Sequence, residues 1–205
     1  MTLITLGLRA YLARTQAVRR AMICRGWTEK RKLNLLYRLA RETESKEGDI
    51  LEIGSAWGRS TVLLGHASHK RIWSIDPHTG GKAYVDRGEL QDSYSAFLEN
   101  LGANGLLERI RVLKHTTEEV VAGRMIPDGC MFSLVFIDGM HTPEAVELDF
   151  SMSYERVSAG GVVIFDDYFQ ESIADYSASI DKITGRAGAR LVKNRRTGLV
   201  YLYKT

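Results

Sequence analysis

The sequence predicts an α/β fold in which a mostly parallel sheet carries helices on both faces. From residue 49 onward, apolar runs of strand length alternate with segments of helical periodicity, the order that produces parallel strands joined by crossover helices. Two runs, LVFI (134–137) and VVIF (162–165), are apolar at every position, as expected for strands buried on both faces. Near the C-terminus, ARLVKN and GLVYLYK are joined by the turn-like RRTG, which is too short for a crossover and predicts an antiparallel strand.

The individual elements follow from the same alternation. The strand candidates are DILEI (49–53), RIWSID (71–76), IRVLKH (110–115), FSLVFID (132–138) and GVVIFD (161–166). Helical periodicity falls near 58–68, 90–103, 116–126, 142–157 and 169–184. Before residue 48 the pattern indicates one or two more helices, of which 31–44 is the more periodic. We expect a basic helical segment over 1–47 and the α/β domain over 48–205.

Composition narrows the class of protein. The chain has 205 residues, 44% of them hydrophobic and 26% charged, which suits one domain with a full core. No apolar run is long enough to predict a membrane span, and the start of the sequence lacks the core of a signal peptide. Cys24 and Cys130 are isolated thiols, which argues against a disulfide scaffold or a zinc site. These features predict a cytoplasmic protein.

The N-terminal segment is strongly basic. Residues 1–41 hold ten Lys or Arg and one acid, Glu29, although the net charge of the whole chain is only +3. Such a segment can be the solvated face of a packed helix, a weak contact with a membrane surface, or a lid or dimer contact. Nucleic acid is not an expected partner, because the rest of the chain is acidic and has no basic stripe with interleaved aromatic residues.

A glycine turn follows the first predicted strand in LEIGSAWGRST (51–61). Gly54 and Gly58 allow a tight turn that passes close to a ligand, and Ser60 lies in the helix that opens after it. A dinucleotide site would need a second glycine where Ala56 stands, and a phosphate-binding loop would need a lysine that Arg59 does not replace. Asp76 ends the second strand about twenty residues after the turn, where a carboxylate can accept hydrogen bonds from both hydroxyls of a ribose or can act as a cap or turn residue before Pro77.

These segments resemble the class I S-adenosylmethionine-dependent methyltransferases. The resemblance lies in E-I-G-S-x-x-G-x-S-T followed by a strand that ends in D-P, and it implies a Rossmann-like methyltransferase sheet that binds S-adenosylmethionine. In that family the glycine turn faces the methionine part, the acid after strand two holds the ribose, and residues after strand three border the adenine. The cofactor-binding residues that the resemblance implies are Glu52, Gly54, Ser55, Gly58, Ser60, Asp76, Thr116 and Asp138.

Carboxylates also end two later strands. Asp138 follows FSLVFI, and Asp166 and Asp167 follow GGVVIF, so all three should meet at the carboxyl edge of the sheet. Three carboxylates in a partly desolvated cleft repel one another unless some are protonated or a cation lies among them. Neither local segment has a Lys or Arg to neutralise them, and hard oxygen ligands favour Mg²⁺, Mn²⁺ or Ca²⁺. Adjacent Asp166 and Asp167 can reach one ion only if the chain bends there.

His141 lies three residues after Asp138, and a neutral imidazole beside a metal site can act as a general base. Together, F-I-D-G-x-H and G-G-V-V-I-F-D-D resemble the metal-dependent, macrocin-type sugar O-methyltransferases and the cephalosporin-hydroxylase-like proteins. This resemblance implies Asp138, Asp166 and Asp167 as metal ligands and His141 as the catalytic base.

The sequence therefore predicts a metal-assisted O-methyltransferase for a small hydroxylated acceptor such as a sugar, a glycoside or another diol. The segment 77–90, with its glycines, is expected to form a flap over the cofactor and the acceptor. We also expect a homodimer, because the small core leaves its cleft poorly covered. The alternatives are a methyltransferase fold with other chemistry, a non-catalytic binding protein, and a dinucleotide oxidoreductase, against which the missing second glycine argues.

Overall fold

A computed structural model describes residues 3–80 and 92–205 of the chain. The helices are α1 (Leu3–Ile23), α2 (Lys30–Glu42), α3 (Arg59–Ala67), α4 (Tyr94–Ala103), α5 (Thr117–Ala122), α6 (Pro143–Tyr154) and α7 (Ala174–Arg186). The strands are β1 (Asp49–Ile53), β2 (Ile72–Ile75), β3 (Ile110–Leu113), β4 (Phe132–Ile137), β5 (Val157–Phe165), β6 (Val192–Lys193) and β7 (Val200–Tyr203). Most of the flap predicted over 77–90 lies outside the described residues.

The strands form one seven-stranded sheet in the order β3-β2-β1-β4-β5-β7-β6. The five strands from β3 to β5 are parallel, whereas β7 pairs antiparallel with both β5 and β6. The predicted α/β architecture with an antiparallel C-terminal strand is confirmed. Chain order reverses between β1 and β4, and ligands of open α/β sheets bind in the crevice at such a reversal.

Both faces of the central strands are buried, which explains their continuous apolar runs. In β4, Leu134 and Phe136 pack into one hydrophobic layer with α1 to α4, and Val135 and Ile137 pack into the opposite layer with α5 to α7. Successive side chains of a strand alternate between the two faces, so each layer receives every second residue. β5 begins at Val157, earlier than the predicted 161, and α7 begins at Ala174 after a short 3-10 turn.

The N-terminal segment forms two helices, α1 and α2, which pack in the same hydrophobic layer as Leu134 and Phe136. Ala17, Val18 and Ala21 of α1 and the leucines of α2 share this layer with β1, β4 and β5. Arg59 at the start of α3 fixes the connection between the two helices, donating from Nε to the carbonyl of Cys24 (3.0 Å) and from Nη1 to that of Thr28 (3.2 Å). The start of α2 is thereby held at the carboxyl edge of the sheet.

Within residues 3–80 and 92–205, no helix has both the length and the apolarity needed to cross a membrane. The cytoplasmic location, the homodimer and the membrane-surface contact stay predictions.

Candidate active site

The glycine turn after β1 lies directly against the end of β4. Gly54 has φ +89°, and a Cβ placed on it would lie 2.1 Å from the carbonyl oxygen of Asp138. Real Cβ atoms do not approach a carbonyl oxygen so closely, so only glycine fits this position. The predicted cofactor turn and the first residue of the predicted metal site are therefore neighbours.

Asp76 at the end of β2 holds the same turn from its other side. Its Oδ2 accepts a hydrogen bond from the backbone N–H of Ala56 (2.7 Å), and its Oδ1 accepts one from the N–H of His78 (2.6 Å). Each carboxylate oxygen can accept a second hydrogen bond, so these contacts leave room for the hydroxyls of a ribose. The Ser55 hydroxyl is buried and has no hydrogen-bond partner among the described residues. A polar group of a cofactor would satisfy it, so the turn fits such a ligand.

Glu52 lies beneath the turn. Its side chain is fully buried in β1, and its Oε2 accepts a hydrogen bond from the Thr61 hydroxyl of α3 (2.5 Å). Burial raises the pKa of Glu52 to about 7, although the hydroxyls of Ser60 and Thr61 oppose the shift. Glu52 and Ser60 therefore connect β1 to the start of α3 below the surface on which a cofactor would lie.

Thr116 caps α5. Its hydroxyl accepts a hydrogen bond from the N–H of Glu119, and the Glu119 carboxylate accepts one from the N–H of Thr116, which completes a capping box. The cap fixes the loop after β3 at the same edge of the sheet as Asp76 and Gly54.

The acidic residues after β4 and β5 come together as a cluster. Asp167 has φ +55°, so the chain bends immediately after β5 and directs this carboxylate toward the side of Asp138 and His141. His141 Nε2 lies 3.7 Å from Asp138 Oδ1 and 3.6 Å from Asp167 Oδ2. One ligand atom from each of the three residues lies within 4.8 Å of the others. Among the described residues this trio is the group with the geometry of a metal site.

Asp166 takes part in a different contact, because Lys32 reaches the cluster from the first turn of α2. Lys32 Nζ lies 2.5 Å from Asp166 Oδ1 and 2.8 Å from Asp167 Oδ1. Asp166 Oδ1 also accepts the backbone N–H of Asp167 (2.6 Å). The local segments lack a cation, as the sequence indicates, but a helix more than a hundred residues away in sequence supplies one. The basic run Lys30–Lys32 is visible in the sequence, whereas its partners depend on where α2 packs.

The close packing of these charged side chains shifts their pKa values. Burial raises the pKa of Asp138 and of Asp166, and neighbouring carboxylates add to both shifts. Lys32 and His141 instead lower the pKa of Asp167 despite its burial. Burial would lower the pKa of Lys32 and of His141, but the carboxylates around them outweigh it and raise both values. The site therefore favours cations strongly.

Comparison with known proteins agrees with this geometry. A family model described as a methyltransferase domain matches residues 51–168, more than half of the chain. The chain belongs to this family. The predicted resemblance to class I S-adenosylmethionine-dependent methyltransferases is confirmed, and the match runs from β1, just before the glycine turn of the methyltransferase, to the residue after Asp167.

Solved structures share the fold of this methyltransferase. The O-methyltransferase NovP aligns with a TM-score of 0.73 at 19% identity, over 88% of this chain and 83% of that one. CalS11, a TDP-rhamnose 3′-O-methyltransferase of calicheamicin biosynthesis, aligns with a TM-score of 0.66 at 20% identity, over 86% and 81%. The O-methyltransferase TomG from Streptomyces achromogenes, involved in tomaymycin synthesis and solved with S-adenosylmethionine, gives 0.62 at 18% identity, over 94% and 90%. The likeness confirms the Rossmann-like class I sheet.

The methyltransferase has a donor set that fits a divalent ion. With metal–ligand bonds of about 2.1 Å, adjacent octahedral ligands lie about 3.0 Å apart and opposite ligands about 4.2 Å apart. The 3.6 and 3.7 Å separations at His141 Nε2 fall between these values. This nitrogen is buried and hydrogen-bonds to no residue in the described part of the chain. The two carboxylates are ligands that suit Mg²⁺ or Mn²⁺, whereas an imidazole is a more typical ligand of Zn²⁺ or iron.

Two cavities of the methyltransferase lie at opposite edges of the sheet. A pocket of about 260 Å³ borders the cluster and is lined by Lys32, Asp167, Phe169, Arg195 and Thr197, among others. A larger one of about 630 Å³ lies between α5 and α6, near the residues that precede β4 and β5, and has no cluster residue in its lining. The smaller pocket is therefore the one beside the candidate site.

Proposed function

We propose that this methyltransferase transfers a methyl group from S-adenosylmethionine to a hydroxyl oxygen of a small acceptor, with a divalent ion at the acidic cluster. The observation that carries the proposal is the contact between Gly54 and Asp138, which joins the glycine turn to the cluster in one cleft. A donor on the turn and a hydroxyl at the cluster would then be neighbours, and holding reactants in such proximity supplies much of the rate of a transfer reaction.

The placement of each residue supports the proposed cofactor-binding roles. Gly54, Ser55 and Gly58 form the turn, Asp76 offers two carboxylate oxygens beside it, and Asp138 adjoins it. Glu52, Ser60 and Thr116 act by fixing the backbone, since their side chains hydrogen-bond within the protein at the turn and at the cap of α5.

The proposed ion, Mg²⁺ or Mn²⁺, would be held by Asp138 and Asp167, with Asp166 as the third ligand that the resemblance implies. A divalent ion in such a site lowers the pKa of an oxygen ligand and so favours the nucleophilic form of a hydroxyl. Asp166 is not part of the trio, and its Oδ1 lies 2.5 Å from Lys32 Nζ, so it could become a ligand only by moving away from this contact.

His141 is proposed as the base. Its Nε2 is buried between two carboxylates, but part of the ring is exposed, and a bound acceptor could approach the imidazole from that open side. The carboxylates raise the pKa of His141 and favour the protonated form, whereas a positive ion beside them would favour the neutral form that accepts a proton.

The proposed acceptor is a small diol, such as a sugar or a glycoside. Two neighbouring hydroxyls can bind one ion, and the 260 Å³ pocket beside Asp167 combines an aromatic side chain, Phe169, with the polar side chains of Gln170, Arg195 and Thr197. The pocket could seat the remainder of the acceptor next to the cluster.

The test is calorimetric binding of S-adenosylhomocysteine with Mg²⁺ and with a chelator, with NAD as the control. We expect binding of S-adenosylhomocysteine and none of NAD. A turnover assay with diol acceptors should then give a product in which one methyl group replaces a hydroxyl hydrogen. His141→Ala should abolish turnover and leave the affinity for S-adenosylhomocysteine nearly unchanged.

Two outcomes would contradict the proposal. Absence of S-adenosylhomocysteine binding would favour a non-catalytic role for the fold. Binding that is followed by a product without an added methyl group would favour the alternative of another chemistry on the same cofactor.

A further inference from the structure

We propose that Lys32 is a built-in cation of the acidic cluster, and that it limits how tightly the cluster binds a divalent ion. This role of Lys32 rests on one part of the proposed function, namely that the acidic cluster binds a divalent ion. It concerns the side chains of this chain and can be tested without turnover.

The contacts of Lys32 are those of a counter-ion. Its Nζ lies within 2.8 Å of one oxygen from each of Asp166 and Asp167, and only 12% of its side chain is exposed. Burying an ammonium ion is unfavourable unless it is paired and hydrogen-bonded, and both conditions are met here. The pair of acidic side chains that ends β5 is thus neutralised from α2.

The fold places Lys32 there for physical reasons. Ile164 of β5 faces the layer that contains α2 and Phe165 faces the opposite one, so alternation directs Asp166 toward α2. The stem of Lys32 passes close to the turn before β7, where a Cβ placed on Gly198 would lie 3.4 Å from its Cε. Helix α2 is itself fixed by Leu33 and Leu36, which are fully buried in that layer.

The consequence is competition between two cations. Lys32 occupies an oxygen of each acid of the pair, which leaves Asp138, His141 and the second oxygen of Asp167 as the trio with metal-site geometry. A divalent ion at this trio would lie close to the ammonium group in a partly desolvated site, where like charges repel strongly. Removing the ammonium should relieve the repulsion and release Asp166 as an additional ligand.

The experiment measures Mn²⁺ affinity, from the loss of the free-ion signal in electron paramagnetic resonance, for the whole protein without added cofactor. We expect Lys32→Met to bind Mn²⁺ at least about tenfold more tightly than the unmodified protein. Lys32→Arg, which keeps the charge, and Lys30→Met, an exposed lysine of the same helix, should each change the affinity less than about threefold.

A double-mutant cycle separates the role of Asp166. In the unmodified protein Asp166→Asn removes a nearby negative charge but no member of the trio, so it should weaken Mn²⁺ binding less than it does in the Lys32→Met background. In the Lys32→Met background the same change should remove most of the gained affinity. Such coupling indicates that the two residues act together.

Folding is monitored by thermal melting. Lys32→Met should melt at a lower temperature than the unmodified protein in the presence of a chelator, because its carboxylates are uncompensated, and added Mn²⁺ should restore it. Unchanged or weaker Mn²⁺ binding by Lys32→Met would overturn the proposal, and so would absence of Mn²⁺ binding by every variant. Binding of S-adenosylhomocysteine, measured alongside, would show whether the cofactor part of the proposed function stands independently.

Discussion

At the scale of single residues, the backbone at Asp167 makes the cluster possible. Asp166 and Asp167 would point to opposite faces of a regular strand. Instead Asp167 adopts a left-handed conformation, φ +55°, which costs most non-glycine residues about 1–2 kcal/mol and Asp somewhat less. Glycine would adopt it without that cost but would supply no carboxylate. Strain held at this position is therefore consistent with a use for the side chain, and such strain often marks functional sites.

Asp149 is the residue for which we predict a pH-dependent stability. It is buried in α6 close to Gly139, and burial raises its pKa to about 7 despite a hydrogen bond from Thr117. The folded protein holds the proton more tightly than the unfolded chain, so stability is lost as pH rises from about 4 to about 7. Above about pH 7 the folded protein carries the full cost of burying the charged Asp149 carboxylate.

Asp149→Asn removes the charge and should stabilise the protein by about 1–3 kcal/mol at pH 8, with a smaller gain at pH 5. Urea unfolding at both pH values measures the difference. Asp128→Asn, at a fully exposed position, is the matched control and should change stability by less than about 0.5 kcal/mol. An equal effect of Asp149→Asn at the two pH values would rule out titration as the cause.

At the scale of elements, Arg59 attaches the connection between α1 and α2 to the start of α3, next to the glycine turn. It begins α3 and donates hydrogen bonds to two carbonyls of that connection, those of Cys24 and Thr28, which are both buried residues. Arg59→Met keeps the aliphatic stem and leaves these carbonyls without their charged donor. We predict a loss of about 1–3 kcal/mol in the free energy of unfolding.

The same change should also increase amide hydrogen exchange in α2, because the start of this helix loses its attachment. Arg38→Met on the exposed side of α2, where Arg38 pairs with Glu42 at 3.4 Å, is the control and should cost less than about 0.5 kcal/mol. Similar losses in the two variants would mean that Arg59 contributes no more than a surface ion pair.

The elements also show which parts of the fold and the site can be predicted from the sequence and why the other parts cannot. β1 and β4 are predicted to within one residue, because a strand buried on both faces must be apolar throughout. The meeting of Gly54, Asp76 and Asp138 follows from parallel strands that end at one edge. The contacts of Lys32 could not be predicted, since a long side chain finds its partner only after α2 has packed, and no local pattern carries that information.

At the scale of the whole molecule, α1 combines positive charge with exposed apolar side chains. At 100° per residue, five exposed apolar side chains fall within about 120° of the helix circumference. They are Leu8, Tyr11, Leu12, Met22 and Ile23. The buried Ala17 and Ala21 lie on the opposite side, against the body of the protein. No acid precedes Glu29, so this outward stripe lies within a wholly basic stretch.

We predict that the stripe binds anionic lipid surfaces weakly. Apolar burial adds to an attraction of about 1 kcal/mol for each basic residue near the surface. Vesicles of phosphatidylcholine mixed with phosphatidylglycerol should sediment the protein, whereas pure phosphatidylcholine should not, and added salt should weaken the binding. Leu8→Ser combined with Leu12→Ser should reduce it, but Leu107→Ser, on an exposed leucine outside α1, should not. Light scattering on the same samples tests a second copy as the other partner. A doubled mass that the Leu8→Ser, Leu12→Ser variant loses, without vesicle binding, would mean that a second copy covers the stripe.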